Sequence, residues 1–184
     1  FELIIQDGAS KDDTVAMAES YRHRLPALSL VSEPDSGIYD AWNKASSRVQ
    51  GEWVLFLGAD DELAANDVLE RCRAVLCDLP ATATYAGGGV DLMSRSGMVV
   101  KRCPYFPGNT NDNMREGMPF PHPGLWHRRI LFNEHRFDTT LRIAADYDFV
   151  CRTWTNENGA TILPFTVTCM QRGGISHSPQ PTLR

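Results

Sequence analysis

Asp60 and Asp61 stand side by side where an apolar run, Trp53-Val-Leu-Phe-Leu57, gives out at Gly58 and Ala59. Adjacent carboxylates repel, and a divalent cation held between them and an anionic ligand relieves that repulsion through hard oxygen donors. A solvated turn after a strand explains the same pair without chemistry, and spacing alone leaves both readings open. Other carboxylates follow other apolar runs. Asp7 comes after Phe1–Ile5, where it is either a turn residue ahead of a helix or a ligand contact. Asp35, Asp40, Asn43 and Lys44 come after Leu28–Val31. Spacings of three and four put Asp40, Asn43 and Lys44 on one side of a helix, which is either a solvated face or a binding face. Asp146, beside Asp148, has the look of a helix cap on residue chemistry alone.

These side chains need elements to position them. Phe1–Ile5 reads as a strand and Gln6–Ser10 as a turn. A helix follows with Ser10 as N-cap, Asp13 at the capping-box position, and Val15, Ala18, Tyr21 and Leu25 on one face until Pro26 ends it. Leu28–Val31 is a second strand. A helix beginning near Gly37 buries Ile38, Trp42, Ala45 and Val49 and stops at Gly51. Trp53–Leu57, bulky and uninterrupted, reads as a strand buried on both faces, and a helix runs from about Asn66 to Leu79. The order β-α-β-α-β-α with short connections predicts a parallel sheet with helices on its faces. Asp7, Asp60 and Asp61 then lie at strand carboxyl ends, where open α/β sheets bind ligands.

The second half differs. Thr84–Met93 and Gly97–Cys103 read as a hairpin. Pro104–Pro123 is a long loop rich in Pro, Gly, Asn and Met, of the kind that is functional or mobile. Leu125–Phe132 is a short strand or helix, a helix ends near Trp154, and Thr161–Met170 is a final strand. His122, set between the rigid Pro121 and Pro123, is a candidate for acceptor or donor contact. Arg128 and Arg129 offer cations for a diphosphate, although surface arginines need no such role.

The chain has 184 residues, 42% hydrophobic and 22% charged, with a formal net charge of −5, which suits one well-buried domain. The acidic balance argues against nucleic acid as a partner. Five cysteines without CxxC or finger spacing fit reduced thiols in a cytoplasmic compartment. No apolar stretch approaches the length of a membrane span, so a soluble protein, or a soluble part of a larger one, is expected. No repeat, low-complexity tract or interdomain linker is evident.

The segments Ile5–Ser10, Ser32–Lys44, Gly51–Leu63 and Ile143–Phe149, in this order and spacing, resemble family 2 glycosyltransferases of the glycosyltransferase A-type fold over nearly the whole chain. The resemblance implies an α/β, Rossmann-like, mostly parallel sheet with helices on both faces. It also implies a single domain over 1–184, with a nucleotide-sugar-binding half at 1–80 and an acceptor and catalytic half at 81–184. The implied enzyme moves a sugar from a nucleotide-sugar donor, commonly a UDP-sugar, to an acceptor hydroxyl with inversion, in polysaccharide or glycolipid biosynthesis. Its acceptor would be a saccharide or a lipid-linked molecule, and a lipid-linked one would bring a cytoplasmic enzyme to the inner face of a membrane.

Carried over by residue, Asp7 contacts the nucleoside, and Asp35, Asp40, Asn43 and Lys44 line the donor cleft. Asp60 faces the ribose or metal, Asp61 coordinates Mg²⁺ or Mn²⁺, and Asp146 matches the catalytic base, leaving Asp148 as a helix-start residue. His177, after the last strand, is a candidate further metal ligand or a surface histidine on the tail. Arg172 and the Pro104–Pro123 loop are candidates to close over bound donor. Two features depart from the family. Its usual first strand, with a Thr-Tyr-Asn-like turn, is not in this chain, and Gly58 stands where a polar residue is common. A non-catalytic nucleotide-sugar-binding module and a sugar nucleotidyltransferase are the rival readings. The second lacks its expected glycine-rich, basic triphosphate loop.

Overall fold

The structure, a computed structural model, describes residues 1–103, 117–118, 120–155 and 159–171. Most of the loop after Cys103, together with Arg172 and His177, lies outside the described residues. Two compact units form, each from two stretches of chain: Phe1–Val54 with Arg128–Thr153, and Leu55–His127 with Trp154–Arg184.

In the first unit β1 (Leu3–Asp7) and β2 (Leu28–Ser32) pair in parallel, in register from Leu3 opposite Leu28 to Asp7 opposite Ser32. Between them α1 spans only Thr14–Ser20 and buries nothing. The expected Ser10–Asp13 capping box does not form. Ser10 is taken by Asp7, and Asp12 Oδ1 accepts instead from Thr14 N and Oγ1 at 3.0 and 2.6 Å. Helix α2 (Ile38–Ser46) starts after Gly37, whose φ of 133° suits glycine. Ser46 is its buried residue, and Ile38, expected inside, is 45% exposed because it projects from the first turn.

The rest of this unit is α4 (Leu131–Glu134) and α5 (Ala145–Thr153). Its core is aromatic. Phe149 stacks on Phe132 with centroids 5.1 Å apart and meets Phe137 at 4.7 Å, and Trp42 meets Phe137 at 5.4 Å. Full burial of one such side chain stabilises by about 1.5–3 kcal/mol.

The division between the units falls within β3 (Trp53–Leu55). Val54 and Phe56 are buried while Trp53 and Leu55 are half-buried and Leu57 is exposed, so the run alternates and is not covered on both faces. The second unit continues with β4 (Glu62–Leu63), α3 (Val68–Leu76), the hairpin β5 (Tyr85–Met93) and β6 (Val99–Cys103), β7 (Leu125–Arg128) and β8 (Thr161–Gln171). Val68, Cys72 and Leu76, four apart, form the buried stripe of α3.

Strand order is β3-β7-β5-β8-β4, with β6 on β5. β5 runs parallel to β8 and antiparallel to β6 and β7, and β4 is antiparallel to β8. The α/β class holds, while the pairings of this sheet are mixed. Glycine makes the central strand possible: a Cβ at Gly87 would enter the ring of fully buried Phe120, and one at Gly88 would lie 2.5 Å from Val167.

Candidate active site

The acidic pair belongs to the second unit. Gly58 N donates to Asp61 Oδ2 at 2.7 Å, and Asp61 N returns a bond to Gly58 O at 3.2 Å, closing a tight turn. Immediately afterwards Glu62 and Leu63 pair with Cys169 and Thr168, and Ala64 N donates to Val167 O at 3.0 Å. The pair is therefore carried on a turn tied to β8. Both carboxylates bend back over one glycine, because a Cβ at Gly58 would lie 3.1 Å from Asp61 Oδ2 and 3.3 Å from Asp60 Oδ1. A side chain at this position would crowd both. Asp60 is exposed and Asp61 half-buried; burial raises the Asp61 carboxyl above its ordinary value, against the bond from Gly58.

Two convergent carboxylates, one half-buried and one open, have the hard oxygen donors that would hold a divalent cation. Among the described residues no group of three or more His, Cys, Asp or Glu side chains gathers to hold a metal by itself. His177 lies outside them.

The remaining candidates belong to the first unit. Asp7 is buried at the carboxyl end of β1 and accepts from Ser10 Oγ at 2.5 Å, Ser32 Oγ at 2.5 Å and Ser10 N at 2.9 Å. The parallel register, which sets Asp7 opposite Ser32, delivers the second of these. Hydrogen bonds from the Ser10 and Ser32 hydroxyls hold this carboxyl below its usual range. They also secure a turn in which Ala9 sits at φ 63°, a conformation that costs a non-glycine residue about 1 kcal/mol.

Asp35 Oδ1 accepts from Gly37 N at 2.9 Å, and Asp40 Oδ2 accepts from Ser36 N at 2.9 Å. Lys44 Nζ lies 3.3 Å from Asp40 and donates to Pro34 O at 2.7 Å. The bond from Ser36 N and then the Lys44 cation lower the Asp40 carboxyl. These groups lace the 34–37 loop to the first turns of α2. Asn43 is engaged elsewhere: its Nδ2 donates to Phe137 O and its Oδ1 accepts from Phe137 N, both at 2.9 Å.

Asp146 is the second residue of α5, reached through Ala144 at φ 66°. Tyr39, the second residue of α2, donates its hydroxyl to Asp146 Oδ1 at 3.2 Å. Tyr39 carries one signal in the sequence, a hydroxyl-bearing aromatic beside Asp40. Asp148 accepts from Arg152 at 2.8 Å one turn on, as a helix-start residue can.

Two other side chains prove structural. His122 is buried and stacked on Phe56 with centroids 5.6 Å apart, and burial pushes its imidazole down to about 3, so it is a neutral core group. Arg128 is buried against Glu52 at 2.5 Å and lies 4.9 Å over the Trp53 ring, which removes it as a free cation for a diphosphate. No described helix is long and apolar enough to cross a membrane.

Comparison with solved structures defines the class as a glycosyltransferase A-type fold. The S. aureus TarS structure in complex with UDP-GlcNAc superposes with a TM-score of 0.75 at 21% identity, covering 98% of this chain and 53% of that one. The mannosyltransferase PcManGT from Pyrobaculum calidifontis, in complex with GDP-Man and Mn²⁺, gives 0.62 at 23% identity, covering 91% and 47%. The chain belongs to glycosyl transferase family 2, whose sequence pattern matches residues 1–137. Among curated relatives, a PGL/p-HBAD biosynthesis glycosyltransferase of Mycobacterium tuberculosis is 31% identical over 194 aligned residues, spanning 97% of this chain and 68% of the relative. The chain thus spans about two thirds of that relative and about half of each solved chain.

Proposed function

We propose that residues 1–184 act as one inverting, metal-dependent glycosyltransferase domain that moves a sugar from a UDP-sugar to an acceptor hydroxyl. The observation that carries the reading is the convergence of Asp60 and Asp61 over Gly58 on a turn anchored to β8. Asp61, with Asp60, would hold Mg²⁺ or Mn²⁺, which supplies charge neutralisation for the diphosphate leaving group. Mn²⁺ in the PcManGT complex and UDP-GlcNAc in the TarS complex support the choice of cofactor and donor.

Asp7 contacts the nucleoside, and Asp35, Asp40, Asn43 and Lys44 shape the donor cleft, with Asn43 acting through Phe137. Asp146 accepts the proton of the attacking hydroxyl as the new bond to the anomeric carbon forms. The bond from that carbon to the diphosphate oxygen breaks on the opposite side, the electron pair leaves with UDP, and the configuration inverts.

The acceptor is a saccharide or lipid-linked molecule in polysaccharide or glycolipid assembly, met at the cytoplasmic face of a membrane. The mycobacterial relative's description as a PGL/p-HBAD biosynthesis glycosyltransferase supports this direction.

Calorimetric titration with UDP, with and without Mn²⁺, tests the reading. Metal-dependent binding that disappears in Asp61→Ala is expected; metal-independent binding of equal strength in both proteins would overturn the metal assignment. Asp146→Asn should keep UDP binding and lose turnover, whereas a non-catalytic binding module would have no turnover to lose.

A further inference from the structure

The hydroxyl of Tyr39 reaches across 107 residues of sequence to one oxygen of Asp146, at 3.2 Å. Its ring is not free to drift. It lies edge-on to Trp42 with centroids 5.6 Å apart and stacked beside Phe137 at 6.0 Å. Phe137 is held in turn by the paired Asn43 bonds to its backbone and by contact with Phe149, three residues after Asp146 on α5. One connected set of contacts therefore fixes the donor, Tyr39, relative to the helix that carries the acceptor, Asp146.

Resting on the reading of Asp146 as the base, we propose that Tyr39 is a positioning residue: its hydroxyl engages Oδ1 of Asp146, fixes the carboxylate rotamer, and leaves Oδ2 to take the proton of the attacking hydroxyl. A carboxylate at the start of a helix otherwise has several rotamers open to it, and a base must sit within hydrogen-bond reach of the proton that it removes. Burial, and then the negative charge of Asp146, push the Tyr39 phenol up to about 12. The phenol therefore stays protonated, and stays a donor, throughout the working range of an enzyme. Ala144 adopts φ 66° immediately before α5, a strained turn of the kind that accumulates where a side chain must be aimed.

Tyr39→Phe removes one oxygen and keeps the ring that packs on Trp42 and Phe137. The probe is release of UDP from UDP-glucose, UDP-galactose and UDP-N-acetylglucosamine with Mn²⁺, water serving as acceptor so that the true acceptor need not be known. The result expected is a fall in kcat of roughly tenfold, with donor KM and the calorimetric affinity for UDP unchanged, the split that marks loss of a group acting on the chemical step. Tyr39→Leu, which also loses the ring, should melt lower yet match Tyr39→Phe in kcat per folded molecule.

An unchanged kcat in Tyr39→Phe overturns the proposal, and so does a fall in kcat that comes with weaker UDP binding or loss of folded protein, because either makes the hydroxyl merely structural. Asp146→Asn keeps the two failures apart. If it turns over donor like the unsubstituted protein, the base reading itself is wrong. If it is inactive while Tyr39→Phe is fully active, only the role of Tyr39 is lost.

Discussion

Asp35 lies against the backbone of Gly8, so close that a β-carbon at position 8 would stand 2.6 Å from Asp35 Oδ2. The turn after β1 and the loop after β2 are thereby shaped to each other, and the absence of a side chain at Gly8 is what lets the Asp35 carboxylate occupy its place.

Gly8→Ala should displace that carboxylate by rotation, since the obstructed atom is the end of a short side chain. The fold should survive, with a melting temperature within a few degrees of the parent. The affinity for UDP should fall about tenfold, equivalent to ~1.4 kcal/mol. Calorimetry decides: a folded Gly8→Ala protein that binds UDP with full affinity would remove Asp35 from the donor site.

Asp7 makes stability depend on acid. Its carboxyl is depressed by bonds from Ser10 and Ser32, so in the folded protein it binds its proton less readily than in the unfolded chain. The stabilisation is present above the unfolded value of about 4 and is lost as pH falls through the lower folded value. Urea midpoints between about pH 3 and 6 should decline less steeply in Asp7→Asn than in the parent. Parallel curves would show that Asp7 is not the group responsible.

Asp61 has the opposite displacement: burial raises it, so a cation that binds there must displace a proton at a higher pH than an ordinary carboxylate would require. The Asp60 charge raises Asp61 as well, so apparent Mn²⁺ affinity, measured as metal-dependent UDP binding, should weaken on acidification in the parent before it does in an Asp60→Asn variant that retains Asp61. Asp61→Ala should cost at least tenfold in that affinity, about 1.4 kcal/mol or more. Binding indifferent to both changes would place the cation elsewhere.

Asn43 exchanges two hydrogen bonds with the Phe137 backbone, both in part-buried surroundings. Asn43→Ala should cost about 1–3 kcal/mol by leaving those backbone groups without that partner. It should leave UDP affinity per folded molecule within about twofold, as expected of a residue acting through Phe137. Chemical denaturation and calorimetry on the same sample separate the two effects. Full stability with lost UDP binding would make Asn43 a direct donor contact.

The alternation of apolar runs with polar clusters carried the α/β class, the positions of α2 and α3, the β5–β6 hairpin and β8, because each has a period or a turn that local chemistry imposes. What escaped was tertiary. β4 is two residues long and has no period; it exists because Glu62 and Leu63 find β8, about a hundred residues on. Ser10 has Asp13 at capping-box spacing, yet Asp7 competes for it successfully in the folded turn. His122 and Arg128, polar residues available for binding on paper, are buried by strands and rings that a linear reading does not bring near them.

The sequence by itself determined which residues are candidates for the chemistry: acidic side chains placed after apolar runs, in an order and spacing that resemble one family. Only the tertiary structure decided how each is held. Asp7 is fixed by a serine on the neighbouring strand, Asp61 by the glycine it folds back over, and Asp146 by a tyrosine 107 residues away. The physical reason is the range of the forces involved. Helix periodicity and turn chemistry act within a few residues and are written locally, whereas a hydrogen bond between distant side chains exists only after strands and aromatic rings have packed and brought donor and acceptor within about 3 Å.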